Sequence, residues 1–285
     1  MKYLPFILCL FLWSSCGNKR EQEVGLIAEE IKKSIVTKDY TYLNSLASFE
    51  RMMEKSYVRL RIPYKKMKES VRDIERHTSL SNHLTHNDSS QLRVVSYDDK
   101  KITLAIDHNN LLVNYADLII KPIEEELKIT DFYLYQQGYS FSDEMQFFAT
   151  IIKESPDEVG NFSIFQKQVR MISIALLSND VLTAKYYFNL IRDEYRKSKI
   201  SESLHITISS YDIHSDTDAI LDKYIKEKPD QSKHGTYLKL MKYMYKYDCG
   251  GVKQQIEELW EYTGVDSIPL NYYQNCLESQ DYLVN

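Results

Sequence analysis

Glycine and proline are scarce in this chain. Eight Gly and six Pro in 285 residues are about 3% and 2%, against average usage of roughly 7% and 5%. So little turn chemistry excludes an all-β sandwich of many short strands and favours long helices. An excess of positive charge is missing too. Lys and Arg number 36 against 41 Asp and Glu, giving a net charge of −5. A dedicated nucleic-acid binder would carry a basic stripe, so no nucleic-acid partner is expected. A glycine-rich phosphate loop, a GxSxG elbow and paired zinc cysteines are all absent from the sequence. No apolar run reaches the roughly 20 residues that a membrane-spanning helix needs. What is present excludes disorder: the chain is 43% hydrophobic and holds 23 Tyr. Its length allows one or two domains.

The first twenty residues read as an address. Lys2 supplies a one-charge start, and Tyr3 to Trp13 is an apolar stretch of eleven, the length of a signal-peptide core rather than of an anchor helix. Ser14 and Ser15 lead into Cys16, and Gly17-Asn18-Lys19-Arg20 follows as a polar tether. This arrangement resembles a bacterial lipoprotein signal of the looser Bacteroidetes type, with Trp13 where the family usually has an aliphatic residue. The resemblance implies removal of residues 1–15, lipidation of Cys16 and a tether over 16–22. It implies a membrane partner through that lipid, since several acyl chains hold more firmly than one. The acidic residues often found just after the Cys in surface-exported lipoproteins of that type are missing from Gly17 to Arg20, which points to the periplasmic face of the outer membrane.

Beyond the tether the hydrophobic period changes twice. Val24, Ile27, Ala28, Ile31 and Ile35 form one helical stripe, with Glu29, Glu30, Lys32 and Lys33 outside it. A second helical stretch runs from Tyr40 to Tyr57 and a third from Pro63 to His83. Alternation then takes over in Leu92–Tyr97, Lys101–Asp107, Leu111–Ile120 and Leu127–Tyr135. Short links between these stretches predict an antiparallel meander and an α+β layout. Helices followed by such a sheet, with Leu118-Ile119-Ile120 and Leu127 to Tyr133 as the closing pair, are similar to the NTF2-like (cystatin-like) cone. That domain is assigned to 23–140.

Residues 141–159 read as a connecting helix or linker, and 160–285 as all-α. Asn179-Asp180, His214-Ser215 and Asp248-Cys249 recur at about 34 residues, with Ser198, Gln231 and Asp266 at the joints between. A helix–turn–helix unit of 34 residues is the tetratricopeptide (TPR) period. On that register Ala184 and Ala219 are the small residues that let paired helices approach, Leu204 matches Leu238, and Ile206 matches Leu240. The segment resembles TPR-like arrays, and cone-plus-hairpin chains of this kind are found among bacterial envelope proteins. A generic helical bundle is the alternative.

Candidate sites are few. Asp131 falls in the alternation Leu127, Ile129, Asp131, Tyr133, Tyr135 and so stands on an otherwise apolar face; if that face lines the cone, Asp131 and Tyr133 mark a small-ligand pocket with a desolvated carboxylate. His77, His83, His86 and Asp88 are the densest set of metal-ligating types, but they sit in a Ser/Asn/Thr-rich stretch, and no metal or cofactor is expected. Tyr237, Tyr243 and Tyr247 mark an interaction face on the array, since aromatic rings anchor interfaces. Cys249 and Cys276 are an even pair in an oxidising envelope. The repeat register nevertheless puts Cys276 seven residues short of the matching point, about 10 Å of helical rise, and predicts two free thiols. The resulting expectation is a non-catalytic, lipid-anchored envelope scaffold with protein partners. The alternative is a small-molecule binder or enzyme built around Asp131.

Overall fold

The first apolar stripe becomes helix α1 (Leu4–Thr37) in a computed structural model of the chain. Val24, Ala28 and Ile31 are fully buried, while Lys32 pairs with Glu29 and Lys33 with Glu30 on the outer side. The helix is continuous through 16–22, the stretch read as a tether, and Lys38, with a left-handed φ of 55°, follows its end. The structure describes residues 4–65, 68–69, 71–72, 79–85, 90–108, 112–154, 158–212, 216–227, 232–264, 273–274 and 276–278. No helix among them is long and apolar enough to cross a membrane.

The stretch from Tyr40 to Tyr57 is two helices rather than one, α2 (Thr41–Leu46) and α3 (Phe49–Leu60). Between them Ala47 is extended and bridges to Ile129, and the Ser48 N–H donates to the Ile129 carbonyl. A tertiary strand contact overrides helix propensity at that point. The third helix is also interrupted. Ser79 is extended, its hydroxyl accepts from the Asn82 N–H, and it caps a separate short helix, α4 (Leu80–Leu84).

Four strands then follow as expected: β1 (Ser90–Tyr97), β2 (Lys101–His108), β3 (Leu112–Ile123) and β4 (Glu126–Leu134). Each pairs antiparallel with the next, and the two residues of β5 (Tyr139–Ser140) complete the chain-order sheet. In the first turn the Asp98 carboxylate accepts from the N–H groups of Lys100 and Lys101. Ile102, Leu104 and Ile106 share one buried face, as their alternation predicts. Register adds Ala116, Leu118 and Ile120 from β3, and Ile129, Phe132 and Leu134 from β4. Helices cover this face: the Tyr97 ring lies against Gly25 of α1, and His83 of α4 lies 5.7 Å from the Phe132 ring.

Two compact units make up the chain, Met1–Lys55 with Pro63–Leu134, and Ser56–Ile62 with Tyr135–Asn285. The stretch read as a linker opens the second unit as α5 (Phe141–Glu154), and its Phe148 packs with Phe165 and Tyr195 in that unit's core. The end of α3 also belongs there, with the Ser56 hydroxyl donating to the Ser142 carbonyl.

All regular structure described after Ser140 is helical: α6 (Glu158–Leu177), α7 (Val181–Asn189), the one-turn α8 (Asp193–Arg196), α9 (Lys199–Tyr211), α10 (Thr217–Lys226), α11 (Lys233–Tyr245) and α12 (Cys249–Thr263). Asp180, Asp216 and Asp248 cap α7, α10 and α12, each accepting from the N–H three residues on. Ser198 and Ser232 cap α9 and α11 in the same way. These two serines are 34 residues apart, and each opens a helix of thirteen residues. Ile206 and Leu238 share a buried cluster with Leu221. Of the expected turn markers, Asp180 and Asp248 hold their place, whereas His214, Ser215, Gln231 and Asp266 lie outside the described residues.

Two expectations need correction. Ala184 is fully buried, but Ala219 is exposed. The cap of α10 is Asp216, one residue later than the assumed turn, and a one-residue shift rotates a helical position by about 100°. Thr217 and Leu221 turn inward instead, the Thr217 hydroxyl donating to the Ser209 carbonyl. Second, Cys249 and Cys276 form a disulfide with Cα atoms 5.7 Å apart. Cys249 is the first residue of α12, and Cys276 lies beside that end of the helix. The thiols are bridged, so Cys276 does not stand at the position that the assumed repeat step gives it.

Candidate functional site

Asp131 does not share a face with Ile129. Ile129 pairs with Ile120, yet Asp131 pairs with Ile119, so Thr130 is an extra residue and the alternation of β4 flips. Phe132 and Leu134 take over the helix-covered face, and Asp131 and Tyr133 stand on the other one. A bulge leaves no signature in an alternating sequence, which is why the pattern misplaced both residues.

That other face carries a buried polar network. Register aligns Lys101, Ile119 and Asp131 in one row across β2, β3 and β4, and Thr103, Asp117 and Tyr133 in the next. Asp117 is 1% exposed; the Thr103 hydroxyl donates to its Oδ1 at 2.7 Å, and the Lys101 ammonium lies 3.5 Å from the same atom. Asp131 accepts from the N–H of its neighbour Phe132 at 2.9 Å. Burial, reinforced by the Asp117 charge, pushes the Tyr133 hydroxyl up to about 12, and burial also raises Tyr115. Chemically this is a satisfied network that ties β2 to β3: the Asp117 carboxylate accepts donors from the neighbouring strand, and the Asp131 carboxylate accepts from its own.

The tyrosines predicted as an interaction face separate. Tyr237 is fully buried, a core residue of α11. The Tyr243 ring packs over Gly251, where an added Cβ would fall 2.3 Å from it. Tyr247 is 48% exposed, but α11 ends at Tyr245 and Tyr247 takes a left-handed φ of 53°, so the four-residue spacing no longer sets a common face. The large apolar side chains that do reach solvent together are Leu182, Tyr186 and Leu190, 80%, 61% and 47% exposed and spaced by four along α7 and its C-cap. Their spacing was legible; their exposure was not, since an apolar stripe reads as core.

His77, His86 and Asp88 lie outside the described residues. His83 packs its ring against Phe49 and Phe132. Among the described residues no three His, Cys, Asp or Glu side chains converge as a metal set. Cys16 lies within α1, and its side chain is outside the description.

A cluster that sequence reasoning passed over sits in the second unit. Glu144 of α5 is 2% exposed and accepts from the Ile200 N–H at the start of α9. Desolvation raises its carboxyl to about 7, against the pull of the Ile200 and Lys199 N–H groups and the Lys199 charge. Glu202 of α9 meets the Lys199 ammonium on one side and the His234 Nε2, 3.4 Å away, on the other. The other ring nitrogen of His234, Nδ1, lies 2.9 Å from the Tyr135 carbonyl. Gly138, with φ 68°, lets the chain pass directly under the imidazole, where a Cβ would stand 2.3 Å from the ring. The signal for this cluster was one acid on a core stripe: Glu144 lies three after Phe141 and four before Phe148, both buried.

No protein-family model, curated protein or solved structure matches this chain.

Proposed function

We propose that this is a lipid-anchored envelope protein without catalytic activity, in which a TPR-like helical unit grips a protein partner and an NTF2-like α+β unit acts as its companion scaffold. The observation that carries the reading is the repeated step of the second unit: α9 and α11 open on serine caps 34 residues apart and are of equal length. That is the interval of tetratricopeptide stacking, and such arrays bind along a surface built from successive helices. The α7 stripe of Leu182, Tyr186 and Leu190 supplies apolar side chains already facing water. Export is supported by the Cys249–Cys276 disulfide, a bond that persists in oxidising compartments, and by the leader ending at Cys16. The alternative pocket around Asp131 draws no support from the geometry, because that carboxylate lies opposite the helix-covered face and accepts from its own strand.

Cross-linking in membranes solubilised with mild detergent tests the role. The wild type is expected to give one stoichiometric complex, and Leu182→Glu with Tyr186→Glu to abolish it without moving the melting temperature. No stoichiometric partner under any growth condition, or a complex indifferent to both substitutions, would overturn the scaffold reading.

A further inference from the structure

Leu182, Tyr186 and Leu190 stand exposed along α7 at equal steps of four, so Tyr186 is the midpoint of a short palindrome. A row at i, i+4 and i+8 is the ridge that interlocks with its own kind in the commonest class of helix crossing. Both ends of the row are held. Asp180 caps the first turn of α7. At the far end Arg196 donates to the Asn189 and Ile191 carbonyls, and Gln168 donates to that of Leu190. The Tyr187 ring meets Tyr186 edge-on, 5.3 Å between centroids. Little side-chain freedom is left for binding to remove.

Resting on the reading of this row as a binding face, we infer that its occupant is a second copy of the chain, the two α7 helices crossing antiparallel about a two-fold axis at Tyr186. Such an axis lays a surface on itself, so the patch must tolerate its own image. Through Tyr186 it brings Leu182 of each copy beside Leu190 of the other and sets the two tyrosine rings together. Charge at the centre would repel its twin, and none stands there: Lys185, the one formal charge of α7, pairs with Asp212, the C-cap of α9. The ends fix the direction. Asp180 is exposed at the start of α7, while Arg192 and Arg196 lie past its end beside Asp193 and Glu194. An antiparallel crossing keeps the two Asp180 carboxylates apart and opposes the helix dipoles; a parallel one would bring like ends together. The three side chains leave roughly 400 Å² of mostly apolar surface in water on each copy. That is enough for the apolar half of the about 800 Å² that each partner contributes to a stable interface.

Disulfide trapping of the full chain in its own membranes reads this geometry. Tyr186→Cys is expected to give a species of twice the mass without reductant, because residue 186 meets itself on the axis. Leu182→Cys alone should give no dimer above the wild-type background, since its two copies would stand roughly 15 Å apart, too far for a bridge. Coexpressed with Leu190→Cys, it should pair. In the otherwise native chain, two differently tagged copies should co-purify, and Leu182→Glu should cut that recovery at least tenfold while the melting temperature holds. Tagged copies that never co-purify would overturn the inference; a complex with another protein that still depends on Leu182 and Tyr186 would in that case leave the scaffold reading standing. Self-pairing of Leu182→Cys, or co-purification indifferent to Leu182→Glu, would equally overturn the antiparallel interface.

Discussion

At Glu144 burial lifts a carboxyl from an ordinary value of 4.5 to about 7. A raised acid binds its proton more tightly in the folded chain, so its stabilising contribution is complete below about 4.5 and is lost as pH climbs through about 7. A shift of that size corresponds to about 3 kcal/mol. Denaturant melts of the wild type should therefore weaken across this window, and Glu144→Gln should flatten the dependence; equal slopes for the two proteins would refute the assignment. Asp117 leads to a different prediction. Asp117→Ala strips the acceptor from the buried Thr103 hydroxyl and the Lys101 ammonium, and should cost the first unit about 2 kcal/mol in urea unfolding. Residue types were easy to read and their sides were not. Asp131 stands out as an acid among apolar neighbours, yet the extra residue at Thr130 moves it to the opposite face. Tyr237 looks like an interface ring and is core.

The elements followed their periods closely wherever neighbours did not intervene. β2 alternates as read, α1 stops at Thr37, and Ile206 and Leu240 fall at equivalent buried positions of α9 and α11. Departures have local causes. The Ile129 bridge breaks one helical run at Ala47, Ser79 restarts another, and Asp216 caps α10 one residue beyond the expected turn. The paired caps can be weighed directly. Ser198→Ala and Ser232→Ala each remove a side-chain acceptor at a helix start, and each should lower the stability of the second unit by about 1 kcal/mol. Ser198 also binds Ser201 within a buried turn, so its replacement should be the more harmful of the two. Thermal melts that rank them the other way would contradict this reading of the caps.

For the whole molecule, the disulfide and the proposed leader favour the same compartment. The bridge closes a sequence separation of 27 residues; loop entropy alone makes that worth about 3.5 kcal/mol. Cys276→Ser should therefore melt the second unit earlier and leave the first unit's transition in place. Spacing arguments missed this bond because they carried an assumed repeat step past Gly264, the C-cap of α12. The central claim, an exported body held by lipid, is tested most directly by intact mass spectrometry of the protein extracted from its own membranes without reductant. The account predicts a chain beginning at an acylated Cys16, lacking residues 1–15, and lighter by the two hydrogens lost in joining Cys249 to Cys276. A full-length, unacylated chain with free thiols would contradict it.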